Sequence, residues 1–236
     1  MKAVLLKQIG KIEDLRRNLV IEELSLPKIN DDEVLIKIKY SSLNHRDLWI
    51  TKGLYAGIKL PVVLGSDCSG TIVDKGKSVT NFSVGEEVVV NPGMNWGESE
   101  LHQGNNFKIL GLPDNGTLEE YIAVNKSFVY KKPEHLTSAE AASFPLAGLT
   151  AYRAVFVKGD IKKNQKVLIT GIGGGVSTFA LLYAVKEGAR VYVTSGSEEK
   201  IKKAIELGAE NGVNYRDGNW DRRILGLSKS GFDLII

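Results

Sequence analysis

Seven residues, Gly171-Ile172-Gly173-Gly174-Gly175-Val176-Ser177, separate the apolar run KVLITG (166–171) from a stretch with helical spacing that begins near Val176. Glycines at such a junction let the backbone turn tightly and approach a pyrophosphate. The free amides and positive dipole end of the following helix then offset the phosphate charge. Gly173, Gly174, Gly175 and Val176 are therefore the candidate phosphate contacts. No register yields a strict G-x-G-x-x-G, because the third glycine would fall on Val176, Ser177 or Thr178. A glycine-rich strand-to-helix turn without a ligand is the alternative.

Cofactor preference is read at the end of the next strand, RVYVTS (190–195), where an Asp or Glu would bond the ribose hydroxyls and select NAD. The chain has Thr194-Ser195-Gly196-Ser197 there, with no carboxylate. Ser195 and Ser197 can donate hydrogen bonds to a 2′-phosphate, and Lys200, one helical turn on, can add a charge-assisted partner. NADPH is favoured over NADH. Glu198 and Glu199 oppose that reading unless, in the first helical turn, they face solvent and serve the dipole. Elsewhere, His45, His102 and Asp67 have no spacing that supports a metal site, and surface histidines are the plainer reading. Cys68 follows a Gly-Ser-Asp turn and opens a strand-like run, which reads as a small buried hydrophobe in preference to a nucleophile.

These groups need a scaffold of two kinds. Up to about Val129 the chain shows short β-rich runs, LVIEEL (19–24), EVLIKIKY (33–40), GTIVDKG (70–76) and EEVVV (86–90), separated by turn residues. That is an antiparallel, barrel-like pattern. Residues 91–116 have no sustained periodicity and read as a long loop, a candidate cover for a cleft. From Thr137 to Phe156 two helical segments are interrupted by Pro145. Then strands 166–171, 190–195, 211–215 and 232–236 alternate with helical stretches near 176–187 and 198–207 and up to about Lys229. Strand, helix, strand, repeated, implies a parallel sheet. The expected domains are 1–130 and 131–236.

The chain ends inside the apolar run FDLII. In a doubly wound sheet of order 3-2-1-4-5-6 a fourth strand would then be an exposed edge, so we expect an incomplete sheet lacking roughly 60 residues or more. With 236 residues, 43% hydrophobic, a sizeable core is available and dominant disorder is excluded. A net charge of +3, from 31 basic and 28 acidic side chains mixed along the chain, has no basic block for nucleic acid or an anionic membrane. The single cysteine, the charged N-terminus and the lack of a spanning apolar run fit a reducing cytoplasm. Small molecules are the expected partners.

Five ordered stretches resemble the medium-chain dehydrogenase/reductase superfamily: SSLNHRDLWITKGLY (41–55), LPVVLGSDCSGTIVDKGKSVTNFSVGEEVVV (60–90), GTLEEYIAV (116–124), FPLAGLTAYRA (144–154) and the span 169–215. The resemblance implies an N-terminal GroES-like barrel followed by a Rossmann domain, with the cofactor in the cleft between them. Zinc alcohol dehydrogenases hold their catalytic metal by Cys, His and Cys in segments that match Asn44, Ser66 and Leu146, none of them a good ligand. No zinc is expected, and the four-cysteine structural lobe is impossible with one cysteine.

What remains is similar to the zinc-free, quinone oxidoreductase-like branch, in which hydride passes from NADPH to an activated double bond or quinone. The resemblance carries Asn44, Asp47 and Tyr55 over as catalytic candidates: Asn44 to bond cofactor or substrate carbonyl, Tyr55 to donate to the carbonyl oxygen as charge develops. For Asp47 a helix-start role stands beside catalysis. It also places Tyr215 at the adenosine end and Thr150 near the nicotinamide, though either could be a packing residue. His45 and Arg46, between these positions, could approach the pyrophosphate, with an exposed, solvated pair as the plainer reading. Alcohol oxidation and dinucleotide binding without turnover are the alternatives. Relatives dimerise through a last Rossmann strand, so a homo-oligomer is expected only if the further strands are supplied.

Overall fold

The computed structural model describes residues 1–236. By packing, the chain divides into two compact units, Met1–Leu146 and Ala147–Ile236.

The first unit holds β1 (Lys2–Leu6), α1 (Leu15–Asn18), β2 (Leu19–Glu23), β3 (Glu33–Ser42), α2 (His45–Thr51), β4 (Val62–Val63), β5 (Asp67–Lys75), β6 (Glu87–Val90), β7 (Gly93–Met94), β8 (Lys108–Ile109), β9 (Tyr121–Asn125), β10 (Val129–Lys131) and α3 (Ser138–Ala141). A five-stranded antiparallel sheet runs β10-β6-β5-β3-β9, beside a three-stranded sheet β2-β1-β4. Alternation dictates the faces: Val34 and Ile36 of β3 and Ile122 and Val124 of β9 point inward onto Cys68, Ile72, Val88 and Val90. Each of the four β-rich runs read from the sequence is a strand. The strand Lys2–Leu6 is an addition, its alternation hidden by the lysines around it. Within 91–116, β7 and β8 pair antiparallel over two residues each at the base of a long loop, and the rest is irregular, folded on itself by an edge-on contact of Trp96 and Phe107 at 4.9 Å.

The change of rhythm at 130/131 is not where packing divides the chain. Residues 131–146 lie on the first unit: Lys132 N donates to Glu87 O at 2.9 Å, Ser69 Oγ to Ser138 O at 2.5 Å, and Leu146 N to Asp67 Oδ1 at 2.8 Å. Close backbone approach also shapes this unit. A β-carbon on Gly116 would lie 1.9 Å from Gly65 O and 2.8 Å from Leu64 O, both rigid backbone. Gly116→Ala is therefore expected to cost about 3 kcal/mol, read as a lower urea midpoint at unchanged slope. An unchanged midpoint would mean that the strand ends do not meet this closely.

In the second unit, β11 (Lys166–Ile169), β12 (Arg190–Ser195), β13 (Asn211–Asn214) and β14 (Leu234–Ile235) form a parallel sheet of order β13-β12-β11-β14. Its helices are α4 (Pro145–Tyr152), which runs on into a π-helical turn Arg153–Lys158, α5 (Gly175–Lys186), α6 (Glu198–Glu206) and α7 (Trp220–Ser228). Pro145 opens α4, where a missing N–H costs nothing. Ala180, Leu181 and Ala184 of α5 and Ile201 and Ala204 of α6 cover one face of the sheet, on Val167, Ile169, Val191 and Val193. Ile224 and Trp220 of α7 cover the other face, on Leu168, Tyr192 and Val213. This is the doubly wound arrangement expected from the alternation, with the fourth strand beside the first. No helix is long and apolar enough to cross a membrane.

Candidate active site

In the first unit the site is built around the start of α2. Asn44 is its N-cap, and Asn44 N donates to Asp47 Oδ2 at 2.7 Å. Asp47 also accepts from Gly65 N, at 3.1 Å through Oδ1, and is buried. Both carboxylate oxygens thus hold backbone, which is the helix-start role in physical form. Burial raises the Asp47 carboxyl above its ordinary value, against those two bonds and the neighbouring Arg46 charge.

Asn44 Nδ2 donates to Asp67 Oδ2 at 3.0 Å. Asp67 is fully buried and also accepts from Ser42 Oγ at 3.3 Å and from Leu146 N at 2.8 Å. Asn44 and Leu146, two of the three positions that the family resemblance matches to zinc ligands, thus converge on one carboxylate. The third, Ser66, is fully buried with its hydroxyl donating to Leu110 O at 2.7 Å and accepting from Arg46 Nη1 at 2.7 Å. An amide, a committed hydroxyl and a backbone N–H do not make a zinc donor set, which needs thiolate, imidazole or carboxylate. No three His, Cys, Asp or Glu residues are grouped to hold a metal, and His45 and His102 are both exposed. Burial pushes the Cys68 thiol far up, so it is an inert core residue.

Arg46 corrects the sequence reading. It is only 8% exposed, because α2 turns positions 46, 47, 50 and 51 to the same inner face. Its Nη1 donates to Leu110 O at 2.7 Å as well as to Ser66. The guanidinium carbon lies 5.2 Å from the Tyr55 ring centre, a cation–π seat for that ring. Tyr55 itself, in the loop after α2, is 38% exposed.

In the second unit, Gly171 and Gly173 take φ of +64° and +107°, and Gly174 caps α5. Gly173, Gly174, Gly175 and Val176 thus form one loop and first helical turn. The leading amides of α5 have no acceptor further back in the helix. Ser177 Oγ accepts from Gly174 N at 3.2 Å and so holds the loop. A β-carbon on Gly175 would meet Ala147 Cβ at 3.1 Å, and exposed Thr150 lies one turn further along α4.

At the end of β12 the structure redistributes the predicted selector. Ser195 is buried, its hydroxyl donating to Ile172 O at 3.3 Å and accepting from Ser197 N at 3.3 Å. Its proton braces the glycine loop. Ser197 caps α6 by accepting from Lys200 N at 3.4 Å, which leaves its hydrogen free. The Lys200 side chain lies over the loop, with Cδ 2.5 Å from where a Gly173 β-carbon would sit. Tyr215 is 47% exposed, and its hydroxyl lies 2.8 Å from a β-carbon built on Gly196. Arg216, absent from the sequence reading, brings Nε to 2.9 Å of the same point. The dipeptide Tyr215-Arg216 at a strand end was the available signal.

The buried Asp67 carboxyl sets a pH dependence. Burial pushes Asp67 from an ordinary 3.8 to about 6, against its hydrogen bonds from Asn44, Leu146 and Ser42. Such a group binds its proton more tightly folded than unfolded. Its contribution to stability is full below 3.8 and lost as pH rises through about 6. Between pH 4 and 7 the unfolding free energy should therefore fall by on the order of 2 kcal/mol more in the parent than in Asp67→Asn. Urea unfolding of both at the two pH values measures it, and equal slopes would contradict the buried-carboxyl account.

A glycine-loop, doubly wound unit preceded by a GroES-like β unit is the fold of nicotinamide-dependent dehydrogenases and reductases. Residues 30–134 match the family model for the alcohol dehydrogenase GroES-like domain, and 175–236 that for zinc-binding dehydrogenase. The zinc-type alcohol dehydrogenase-like protein YogA of Leptosphaeria maculans is 37% identical, over 87% of this chain and 61% of its own. A crotonyl-CoA carboxylase/reductase of Cereibacter sphaeroides is 31% identical over 84% and 49%. A crystal structure of an NAD-dependent alcohol dehydrogenase superposes with a TM-score of 0.92 at 34% identity, covering 100% of this chain and 70% of that one. The chain belongs to the medium-chain dehydrogenase/reductase superfamily. It spans about three fifths of the length of the curated relatives it matches.

Proposed function

We propose that this protein is an NADPH-dependent, zinc-free oxidoreductase that delivers hydride to an activated double bond or a quinone. The observation that carries the reading is the Asp67 carboxylate. It takes up the Asn44 amide and the Leu146 N–H at positions where zinc relatives place cysteine ligands. The name of the Cereibacter relative, a crotonyl-CoA carboxylase/reductase, supports an activated alkene as acceptor. The alcohol dehydrogenase names among the relatives support the alternative, carbonyl and alcohol interconversion.

The glycine loop fits a dinucleotide: Gly171 and Gly173 adopt positive φ, and α5 presents free amides. Reduced nicotinamide, when bound there, supplies the hydride. This chain's residues supply orientation and polarisation. Tyr55 donates its phenolic hydrogen to the acceptor's carbonyl oxygen as negative charge grows there. Asn44, clamped through Nδ2 by Asp67, offers Oδ1 as a fixed acceptor for a hydroxyl of cofactor or substrate. Asp47 holds the Asn44 backbone at the start of α2, between Asn44 and Tyr55 in the chain. Thr150 orients the nicotinamide. Ser197, Lys200 and Arg216 receive the 2′-phosphate, and Tyr215 flanks the adenosine.

Fluorescence titration with NADPH and NADH side by side tests the cofactor assignment. The parent should bind NADPH more tightly, and Lys200→Ala combined with Arg216→Ala should weaken NADPH by about 10- to 100-fold with NADH unchanged. Tighter NADH binding in the parent would overturn the NADPH assignment. Turnover of enones or quinones with NADPH, against oxidation of alcohols with NADP⁺, separates the two substrate classes.

A further inference from the structure

The first unit buries a cation that has no counter-ion. Arg46 is 8% exposed, and its guanidinium is held by two neutral acceptors, Ser66 Oγ and Leu110 O, both through Nη1 at 2.7 Å. The two buried carboxylates of this unit are engaged elsewhere: Asp47 accepts from Asn44 N and Gly65 N, and Asp67 from Asn44 Nδ2, Ser42 Oγ and Leu146 N. Nε is buried without an acceptor. Nη2 has none either, but it is not closed off from solvent. A desolvated charge in this state is costly until something pairs with it, and an unsatisfied buried donor calls for an explanation.

The fold gains little from this arginine. Leu110 O also accepts from Ser66 Oγ at 2.7 Å, so it stays bonded without the guanidinium. Room is nonetheless kept for the cation: a β-carbon on Gly111, which sits at φ +91°, would come within 3.1 Å of Nη1 and 2.6 Å of Gly65 O. The Tyr55 ring lies against the same group, its centre 5.2 Å from the guanidinium carbon. A cation with one open nitrogen thus stands beside the side chain assigned as hydrogen donor. Guanidinium nitrogens match carboxylate oxygens in geometry as well as in charge.

We propose that Arg46 is the specificity residue of the acceptor site: through Nη2 it takes a carboxylate carried by the organic acceptor, so that an unsaturated keto acid is preferred over a neutral enone. Calling that ligand the acceptor rests on the hydride-transfer reading, whereas carboxylate binding itself does not. The other anion that could meet this cation is the cofactor's pyrophosphate, and the test separates the two.

The whole chain is titrated calorimetrically, without cofactor, with 4-oxopentanoate and with 2-pentanone, a ketone that lacks the carboxylate. Expected are one saturable site for the keto acid and binding of 2-pentanone weaker by about tenfold or more. Arg46→Met should weaken the keto acid by about 10- to 100-fold, leave 2-pentanone unchanged and bind NADPH as the parent does. Arg46→Lys keeps the charge without the fork and should retain part of the preference. With NADPH, the ratio of kcat/KM for (E)-4-oxo-2-pentenoate to that for (E)-3-penten-2-one should fall by a similar factor in the Met variant. Equal affinity for the two ligands in the parent, undiminished keto acid binding by the folded Met variant, or no saturable heat from the keto acid would each overturn the proposal. So would a loss of NADPH binding in place of keto acid binding, which would give the cation to the pyrophosphate. Arg46-dependent keto acid binding by a chain that reduces neither enone would support the carboxylate site and overturn the hydride-transfer reading. Should the Met variant fail to fold, the Lys variant and the ligand pair on the parent chain decide.

Discussion

Gly173→Val is expected to weaken NADPH binding by at least about a hundredfold, close to 2.7 kcal/mol, while the thermal midpoint moves by only a few degrees. Two effects add. Gly173 sits at φ +107°, a conformation that a β-branched residue avoids, so valine pulls the loop out of shape. Its side chain would also occupy the space now held by the Lys200 methylenes, 2.5 Å from the built β-carbon, and push that ammonium off the loop. The loop is anchored by the buried Ile172, while Val167, Ile169 and Leu181 lie on the strand and helix to either side and keep their contacts with one another. Gly218→Ala is the matched control: it has open space around it and an ordinary backbone, and should bind as the parent does. Parent-like NADPH binding by the valine variant would remove this loop from the cofactor site.

Tyr55→Phe should lower kcat toward an enone or quinone by about 10²- to 10³-fold with KM nearly unchanged, the pattern of a donor that acts mainly in the transition state. The ring stays in place because its seat is the Arg46 guanidinium, held by Ser66 and Leu110, and phenylalanine keeps that contact. Only the donor is lost. Single-turnover hydride transfer measured with saturating NADPH separates this from any effect on cofactor binding. A rate within twofold of the parent would take Tyr55 out of the chemistry and leave Asn44 as the remaining polarising candidate.

Much of the architecture was legible along the chain because it follows from short-range rules. The run KVLITG, the glycines after it and the helical spacing from Val176 specify a strand, a turn and a helix by local chemistry alone. The same holds for the alternating EVLIKIKY, whose inward valine and isoleucine are its buried ones. β1 was obscured because a five-residue strand between lysines resembles any charged terminus. For Ser195 the limit is different. A serine at a strand end looks like a free donor until the neighbouring loop offers it Ile172 O.

The sequence by itself determined two fold types, the glycine loop and the residue types at positions 44, 66 and 146, since each depends on residue identity within a few positions. Only the tertiary structure decided what those positions do. Asp67 gathers Asn44 from 23 residues before it and Leu146 from 79 after it, and Arg46 reaches Leu110 across 64. Hydrogen bonds across such separations leave no local pattern, because strand pairing and helix orientation bring their partners together after the chain has folded.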